Sequence, residues 1–136
     1  VVYPHLEVLT KSARALLKPE VPLADFVRQS ANLGAFVVAL YNSDIALLGR
    51  CLRDDVIEPQ RAQLIPGFYD VKAAALGVQG VLGCSISGSG PSVFALAANS
   101  LAAEEAGRVM QAVFSAQKME SEVFLSAVNQ EGAVIC

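Results

Sequence analysis

Histidine is nearly missing from this chain: His5 is the only one among 136 residues. One histidine cannot build a histidine-rich metal site, and a Ser-His-Asp triad would have to use it. His5 follows Pro4 at a strand and reads as an ordinary half-exposed residue. Cysteine is sparse too. Cys51, Cys84 and Cys136 are odd in number and far apart, so they form neither a CxxC pair nor a disulfide framework. A reducing, cytoplasmic setting fits them best. No apolar run reaches the length of a membrane span, the longest being Ala35–Tyr41 and Val93–Ala98. No basic segment precedes an apolar one within Val1–His5, so a secretory signal is not expected there. Charge is low at 17%, ten basic against thirteen acidic residues, and no Lys/Arg run is present. Nucleic acid is therefore not an expected partner, and neither is a membrane.

What remains is an apolar chain, 54% hydrophobic, which excludes a disordered one. Its length suits a single domain over residues 1–136, able to bury roughly two-thirds of its unfolded surface. It shows no internal repeat, low-complexity tract or linker. It opens on Val1 without an initiator Met, and a processed chain or a piece of a longer polypeptide is expected.

The hydrophobic periodicity gives the order of elements. Alternation over Leu6–Val8 predicts a strand, with Pro4 favouring an edge or an irregularity. Thr10 is placed to cap a short helix through Leu17, and Pro19 and Pro22 break the chain. Leu23–Tyr41 is helical, with Phe26, Leu33, Val37 and Leu40 on one row and Val27, Ala31, Ala35 and Val38 on another. A helix apolar on two rows is sandwiched between layers or lies at an interface. Ser43 or Asp44 caps a helix from Ile45 to about Arg53. The polar stretch Asp54–Gln63 leads to Pro66-Gly67, and Phe68–Leu76 is a helix ended by Gly77.

Val81–Ile86 reads as a strand, interrupted by Ser87-Gly88-Ser89-Gly90-Pro91. Ser92–Ala98 reads as a strand covered on both faces. Asn99 or Ser100 caps a helix to about Gln117, with Glu104 and Glu105 assigned to its first turn. Glu122–Val128 alternates as a strand, and Ala133–Cys136 is a candidate for a last one. Helices and strands are partly segregated, which predicts an α+β fold with helices on one face of an antiparallel sheet.

The Ser87–Pro91 segment is the strongest chemical signal. Two glycines among small hydroxyl residues let the backbone turn sharply, and successive N–H groups can cradle an anion. A plain hairpin connection is the competing reading. The segment is not a P-loop, a GxGxxG turn or a GxSxG elbow. Arg14 and Arg61 each offer a guanidinium fork suited to carboxylate or phosphate, or are solvated surface charges. Asp54-Asp55 and Glu104-Glu105 are adjacent pairs, poorly placed to cooperate. Cys84 lies in an apolar strand and reads as core.

Three ordered segments together resemble a known family. They are Val2-Tyr3-Pro4 with Thr10-Lys11-Ser12-Ala13-Arg14, Glu58-Pro59-Gln60-Arg61 with Leu64–Phe68, and Ile86–Leu96 around the glycine segment. They resemble the homoserine kinases of the GHMP kinase superfamily, over essentially the whole chain. Lys18-Pro19 and Gln60 depart from the family pattern. The ProxxxGlyLeuGlySerSer phosphate loop of an amino-terminal half has no counterpart, so the resemblance is to a carboxy-terminal half.

The resemblance implies a ferredoxin-like two-layer sandwich. It implies ATP and Mg²⁺ as cofactors, bound mainly by the absent half, and L-homoserine as the phosphoryl acceptor. By position it assigns Arg14 and Arg61 to the homoserine carboxylate and Gly88 to the substrate. Thr10, Ser87, Ser89 and Gly90 are assigned near the phosphate or in support of the loop. No metal ligand and no catalytic group is assigned to this chain, which is expected to be inactive alone. Self-association through its apolar helix, or a free-standing amino-acid-binding module of the same fold, are the other readings.

Overall fold

The structure, a computed structural model, describes residues 1–132. The expected strand at Ala133–Cys136 lies outside them. Four strands, β1 (Val2–Pro4), β2 (Val81–Ile86), β3 (Val93–Ala97) and β4 (Ser121–Val123), form one sheet in the order β2-β3-β1-β4. Every neighbouring pair is antiparallel. Six helices accompany them: α1 (Thr10–Ala15), α2 (Leu23–Asn42), α3 (Ile45–Cys51), α4 (Glu58–Arg61), α5 (Phe68–Leu76) and α6 (Ser100–Ala116). With α5 crossing before β2 and α6 before β4, the arrangement is a ferredoxin-like α+β sandwich.

Alternation along the strands decides the layers. Val2, Cys84 and Val93 point to one face, where α5 contributes Phe68, Val71 and Ala75 and α6 contributes Met110 and Phe114. Phe68 and Phe114 are fully buried, and truncating either to alanine removes about 3–5 kcal/mol. Gly83 neighbours Cys84, so its missing side chain faces the opposite layer. There an added Cβ would lie 2.9 Å from Leu52 Cβ, just after α3. Glycine at this position lets the α3 end rest on β2. The two helix caps sit close to expectation: Asp44 Oδ1 accepts from Leu47 N–H at 2.8 Å, and Asn99 Oδ1 from Ala102 N–H at 2.9 Å.

Several elements differ from the periodicity. Val2–Pro4 is the strand and Leu6–Val8 is not, because Leu6 N–H turns back onto Pro4 O at 2.7 Å. Nor is β1 an edge: it lies between β3 and β4. Pro4 is tolerated because β3 pairs only with Val2, so no ladder bond toward β3 is lost at Pro4. Thr10 is the first helical residue, with Leu9 at the cap position and no side-chain cap bond. The third helix stops at Cys51, and the polar stretch after it contains α4 and a 3-10 turn, Ala62–Leu64.

Two strand expectations also change. In β3 only Val93 is buried; Phe94 and Leu96 lie on the face opposite α5 and α6, and Ala95 packs only partly against the core. The last described strand stops at Val123, although Phe124 N–H still reaches Val1 O at 2.8 Å. Helix α6 begins at Ser100, so Glu104 and Glu105 fall beyond its first turn. Instead, Glu105 pairs with Arg108.

Helix α2 fulfils its length but not its burial. Leu23, Phe26, Val27, Leu33, Val37, Val38, Leu40 and Tyr41 are exposed, and Ala39 alone in the helix is buried. Its neighbour is α3. Among the described residues it is therefore not sandwiched between layers. Replacing Gly83 with alanine should lower stability by about 1–3 kcal/mol through overpacking against Leu52. Urea unfolding measures this, and an unchanged midpoint would mean that the α3 end moves away freely.

Candidate functional site

The site forms where the short α4 turn meets the hairpin between β2 and β3. Asp54 starts the turn. Its Oδ1 accepts from the N–H groups of Val56 and Ile57 at 2.9 and 2.8 Å, and its Oδ2 from Glu58 N–H at 3.1 Å. One carboxylate thus satisfies three N–H groups that a helix start leaves open. The Asp54-Asp55 pair is split in role, since Asp55 instead faces Arg53 at 3.2 Å and Arg28 at 3.7 Å. After the turn, Ala62 and Ile65 enter the core and hold α4 in place.

Glu58 is the buried acid of the site, 5% exposed. Its Oε1 meets Lys72 Nζ of α5 and its Oε2 meets Ser85 Oγ of β2, each at 2.5 Å. Three residues on, Arg61 Nη1 donates to Gly88 O at 3.1 Å. Arg61 Nε is buried and has no partner among the described residues. That buried N–H is a cost of about 1–3 kcal/mol to the fold, while the outer guanidinium nitrogens of this half-buried side chain lie toward the loop, with Nη1 on Gly88 O.

The loop supplies complementary donors. Gly90 N–H closes a turn onto Ser87 O at 3.0 Å, and Ser87 N–H donates to Ser92 O at 2.8 Å. Gly88 and Gly90 have φ of 60° and 80°, the left-handed region that glycine enters without steric cost. The N–H groups of Gly88 and Ser89 donate to no other group among the described residues. Consecutive N–H groups in a turn can cradle an anion where they converge. The loop is therefore a hairpin connection whose tip carries two consecutive N–H groups without a protein acceptor among the described residues.

Gln60 connects this corner to the α1 segment. Its Oε1 accepts from Lys18 N–H at 2.7 Å while its Nε2 donates to Val56 O at 2.6 Å. The two departures from the family pattern, Lys18 and Gln60, thus touch each other. Arg14 lies four residues before Lys18, in the last turn of α1. Its side chain is exposed and makes no hydrogen bond or ion pair among the described residues, nor does that of Thr10 at the start of the helix. The structure joins Arg61 directly to Gly88 and leaves Arg14 and Thr10 tied to that corner only through the backbone of their own segment.

Other titratable groups lie elsewhere. His5 sits on the far side of the sheet from β2, with Nε2 2.9 Å from Glu122 Oε1 of β4. Cys84 is packed in the core beside the Glu58–Lys72 pair, and burial pushes its thiol up to about 12. That thiol is not a nucleophile near neutral pH. An open cleft of about 250 Å³ between α2 and the exposed sheet face includes Gln29, Phe36, Arg53 and Phe94 but neither Arg61 nor the loop. Among the described residues no three carboxylate, histidine or cysteine side chains group as metal ligands.

The α4 clamp was not foreseen from the residues. Glu58 stands between Ile57 and Pro59 in a polar stretch, and nothing local marks it as buried. Its partners lie 14 and 27 positions away, beyond the reach of periodicity. Gln60 and Lys18 were visible only as departures.

A two-layer α+β sandwich with a glycine turn and an arginine at its edge fits one class well. Residues 36–116 match the family described as GHMP kinases C terminal, and the chain belongs to that family. Among curated proteins, it is 49% identical over 136 residues to a homoserine kinase of Chlorobium phaeovibrioides, covering 98% of this chain and 42% of that protein. A homoserine kinase of Xylella fastidiosa is 42% identical over 132 residues, with 97% and 41% covered. The crystal structure of a homoserine kinase from Cytophaga hutchinsonii superposes with a TM-score of 0.92 at 48% identity, covering 95% of this chain and 41% of that one. The chain thus spans about two-fifths of the length of these relatives.

Two measurements check the local physics. Gly88→Ala meets no neighbour and should cost about 1 kcal/mol, for its positive φ alone. Gly90→Ala adds contacts at 3.2 and 3.3 Å to Ile65 and Ile86 and should cost roughly 2–4 kcal/mol. Equal melting temperatures for the two would contradict this ordering. For Cys84, the unfolded thiol titrates near 9.0 and the folded one near 12. Above the lower value the unfolded chain releases a proton that the folded chain keeps, so stability falls as pH rises through that window. The urea midpoint should therefore drop more between about pH 8 and about pH 10 for the unaltered chain than for Cys84→Ala. Equal drops would remove the thiol as the cause.

Proposed function

We propose that this chain is the carboxy-terminal part of a homoserine kinase. The complete enzyme would transfer the γ-phosphoryl group of ATP to the hydroxyl of L-homoserine and form O-phospho-L-homoserine, in the cytoplasm, for threonine synthesis. The observation that carries the reading is the half-buried Arg61 guanidinium fixed on Gly88 O at the glycine loop. This occurs in a chain 49% identical to a homoserine kinase.

The donors of this corner suit the carboxylate of an amino-acid substrate. Arg61 offers a forked cation, and Gly88 and Ser89 offer backbone N–H groups beside it. Arg14 and Thr10 belong to the segment that Gln60 ties to α4, and we assign Arg14 to the carboxylate and Thr10 to the transferred phosphate. Ser87 and Gly90 support the loop.

This donor set does not fit a magnesium ion, which takes oxygen ligands. ATP and Mg²⁺ are therefore assigned to an amino-terminal phosphate-loop half, where the metal would neutralise charge on the phosphates. Phosphoryl transfer depends on positioning and electrostatics. This chain's part is to fix the acceptor amino acid by its carboxylate so that its hydroxyl is aimed at the phosphate. Unlike a helix built to cross a membrane, α2 is not long and apolar enough to span one. Its exposed apolar rows fit contact with the rest of the kinase.

The chain alone should show no phosphorylation of homoserine with ATP and Mg²⁺, and robust turnover would contradict the division of labour. Saturable homoserine binding by the chain alone, measured by calorimetry, would favour the free-standing module instead. In the complete kinase, Arg61→Ala should raise the homoserine KM about ten- to a hundredfold, the worth of a charge-assisted pair, with kcat little changed. An unaltered KM would remove Arg61 from the site.

A further inference from the structure

Two contacts fasten α4 to the β2–β3 hairpin, and they have the same spacing on both sides. Glu58 meets Ser85, and Arg61 meets Gly88. Residues three apart on a helical turn share one face. The α4 turn therefore presents Glu58 and Arg61 together, and the hairpin receives them at Ser85 and, three residues on, at Gly88. One contact would leave a single turn free to pivot. Two hold its rotation.

The Glu58 contact is the firmer of the pair. A buried carboxylate is stable only when paired and hydrogen-bonded, and here both oxygens are taken, one by Lys72 and one by Ser85. Lys72 stands on α5 one residue after the core residue Val71, so this end of the clamp rests on rigid packing. Asp54 holds the Glu58 N–H as well. Arg61 is held by a single bond to a carbonyl, and no carboxylate among the described residues pairs with its guanidinium to fix its direction. The aim of the guanidinium is therefore set by the orientation of α4 as a whole.

We propose that Glu58 is a positioning residue for the amino-acid substrate: locked between Lys72 and Ser85, it sets the orientation of α4 and through it the aim of the Arg61 guanidinium. The proposal rests on the reading of Arg61 as the carboxylate-binding group. It gives Glu58 no contact with substrate and no part in the transfer of the phosphoryl group. A role in stability alone would leave substrate affinity unchanged in the enzyme that folds.

The test is steady-state kinetics in the complete kinase with homoserine as the varied substrate. The variants are Ser85→Ala, Glu58→Gln, Arg61→Ala and the Glu58→Gln/Arg61→Ala double. Unfolded enzyme lowers the apparent kcat but not KM, so KM separates aim from stability. Glu58→Gln keeps the shape of the side chain and removes its charge; its KM should rise roughly tenfold, the loss of one charge-assisted contact. Ser85→Ala leaves the Glu58–Lys72 pair intact and should raise KM several-fold, which keeps the test open should Glu58→Gln fold poorly. The double variant should have the KM of Arg61→Ala, because Glu58 acts through Arg61.

Two outcomes overturn the proposal while leaving Arg61 in the site. One is a wild-type KM in both Ser85→Ala and Glu58→Gln alongside a raised KM in Arg61→Ala. The other is a double variant whose loss is the product of the single losses. A wild-type KM in Arg61→Ala overturns the reading of Arg61 itself, and the proposal with it.

Discussion

A single buried carboxylate joins three parts of this molecule. Glu58 belongs to a one-turn helix, Lys72 to a core helix and Ser85 to an edge strand. The pairing is electrostatic, yet the core holds it in place. Ala62 and Ile65 anchor the chain just after Glu58, while Phe68 and Val71 anchor it just before Lys72. Apolar burial supplies the stability, and the ion pair supplies the orientation. A buried ion pair adds little net stability against the cost of desolvation, so a role in specifying geometry suits it better than a role in holding the fold.

The glycine loop depends on the same corner. Its two positive-φ glycines let the hairpin reverse within a few residues, and that reversal brings Gly88 O to Arg61. The guanidinium then spends one N–H on the protein and leaves another without a protein partner. An arginine fully satisfied by the fold would have no capacity for a ligand, and one fully solvated would have no fixed direction. Arg61 stands between these states.

The sequence alone made some of this legible. The helix Leu23–Tyr41 was readable because apolar rows repeat at helical spacing, Phe68–Leu76 because Pro66-Gly67 and Gly77 bound it, and the Val81–Ile86 strand because glycine and proline end it. Arg61 and the glycine loop were readable as chemistry, though only the resemblance connected them. Elements fixed by distant partners were not readable. The α4 turn lies in a polar stretch, and its placement comes from Glu58 and Gln60 bonding to distant segments. The Leu6–Val8 alternation misled because the turn at Pro4 takes those residues out of the sheet. Glu104 and Glu105 were placed one turn early because the helix begins at Ser100. Local pattern reports local structure, and this corner is held by contacts across 14 to 42 positions.

Helix α2 marks the scale at which the chain makes sense. Two rows of apolar side chains face outward, and a contiguous exposed apolar surface signals a contact site. The relatives are more than twice as long, which fits a surface completed by further polypeptide. The central claim is that this chain supplies the acceptor-holding part of a homoserine kinase. A chimera tests it most directly: the Chlorobium phaeovibrioides homoserine kinase with its matching 42% replaced by this chain. The account predicts that the folded chimera phosphorylates L-homoserine with ATP. A folded chimera that binds ATP but leaves homoserine unphosphorylated would contradict it.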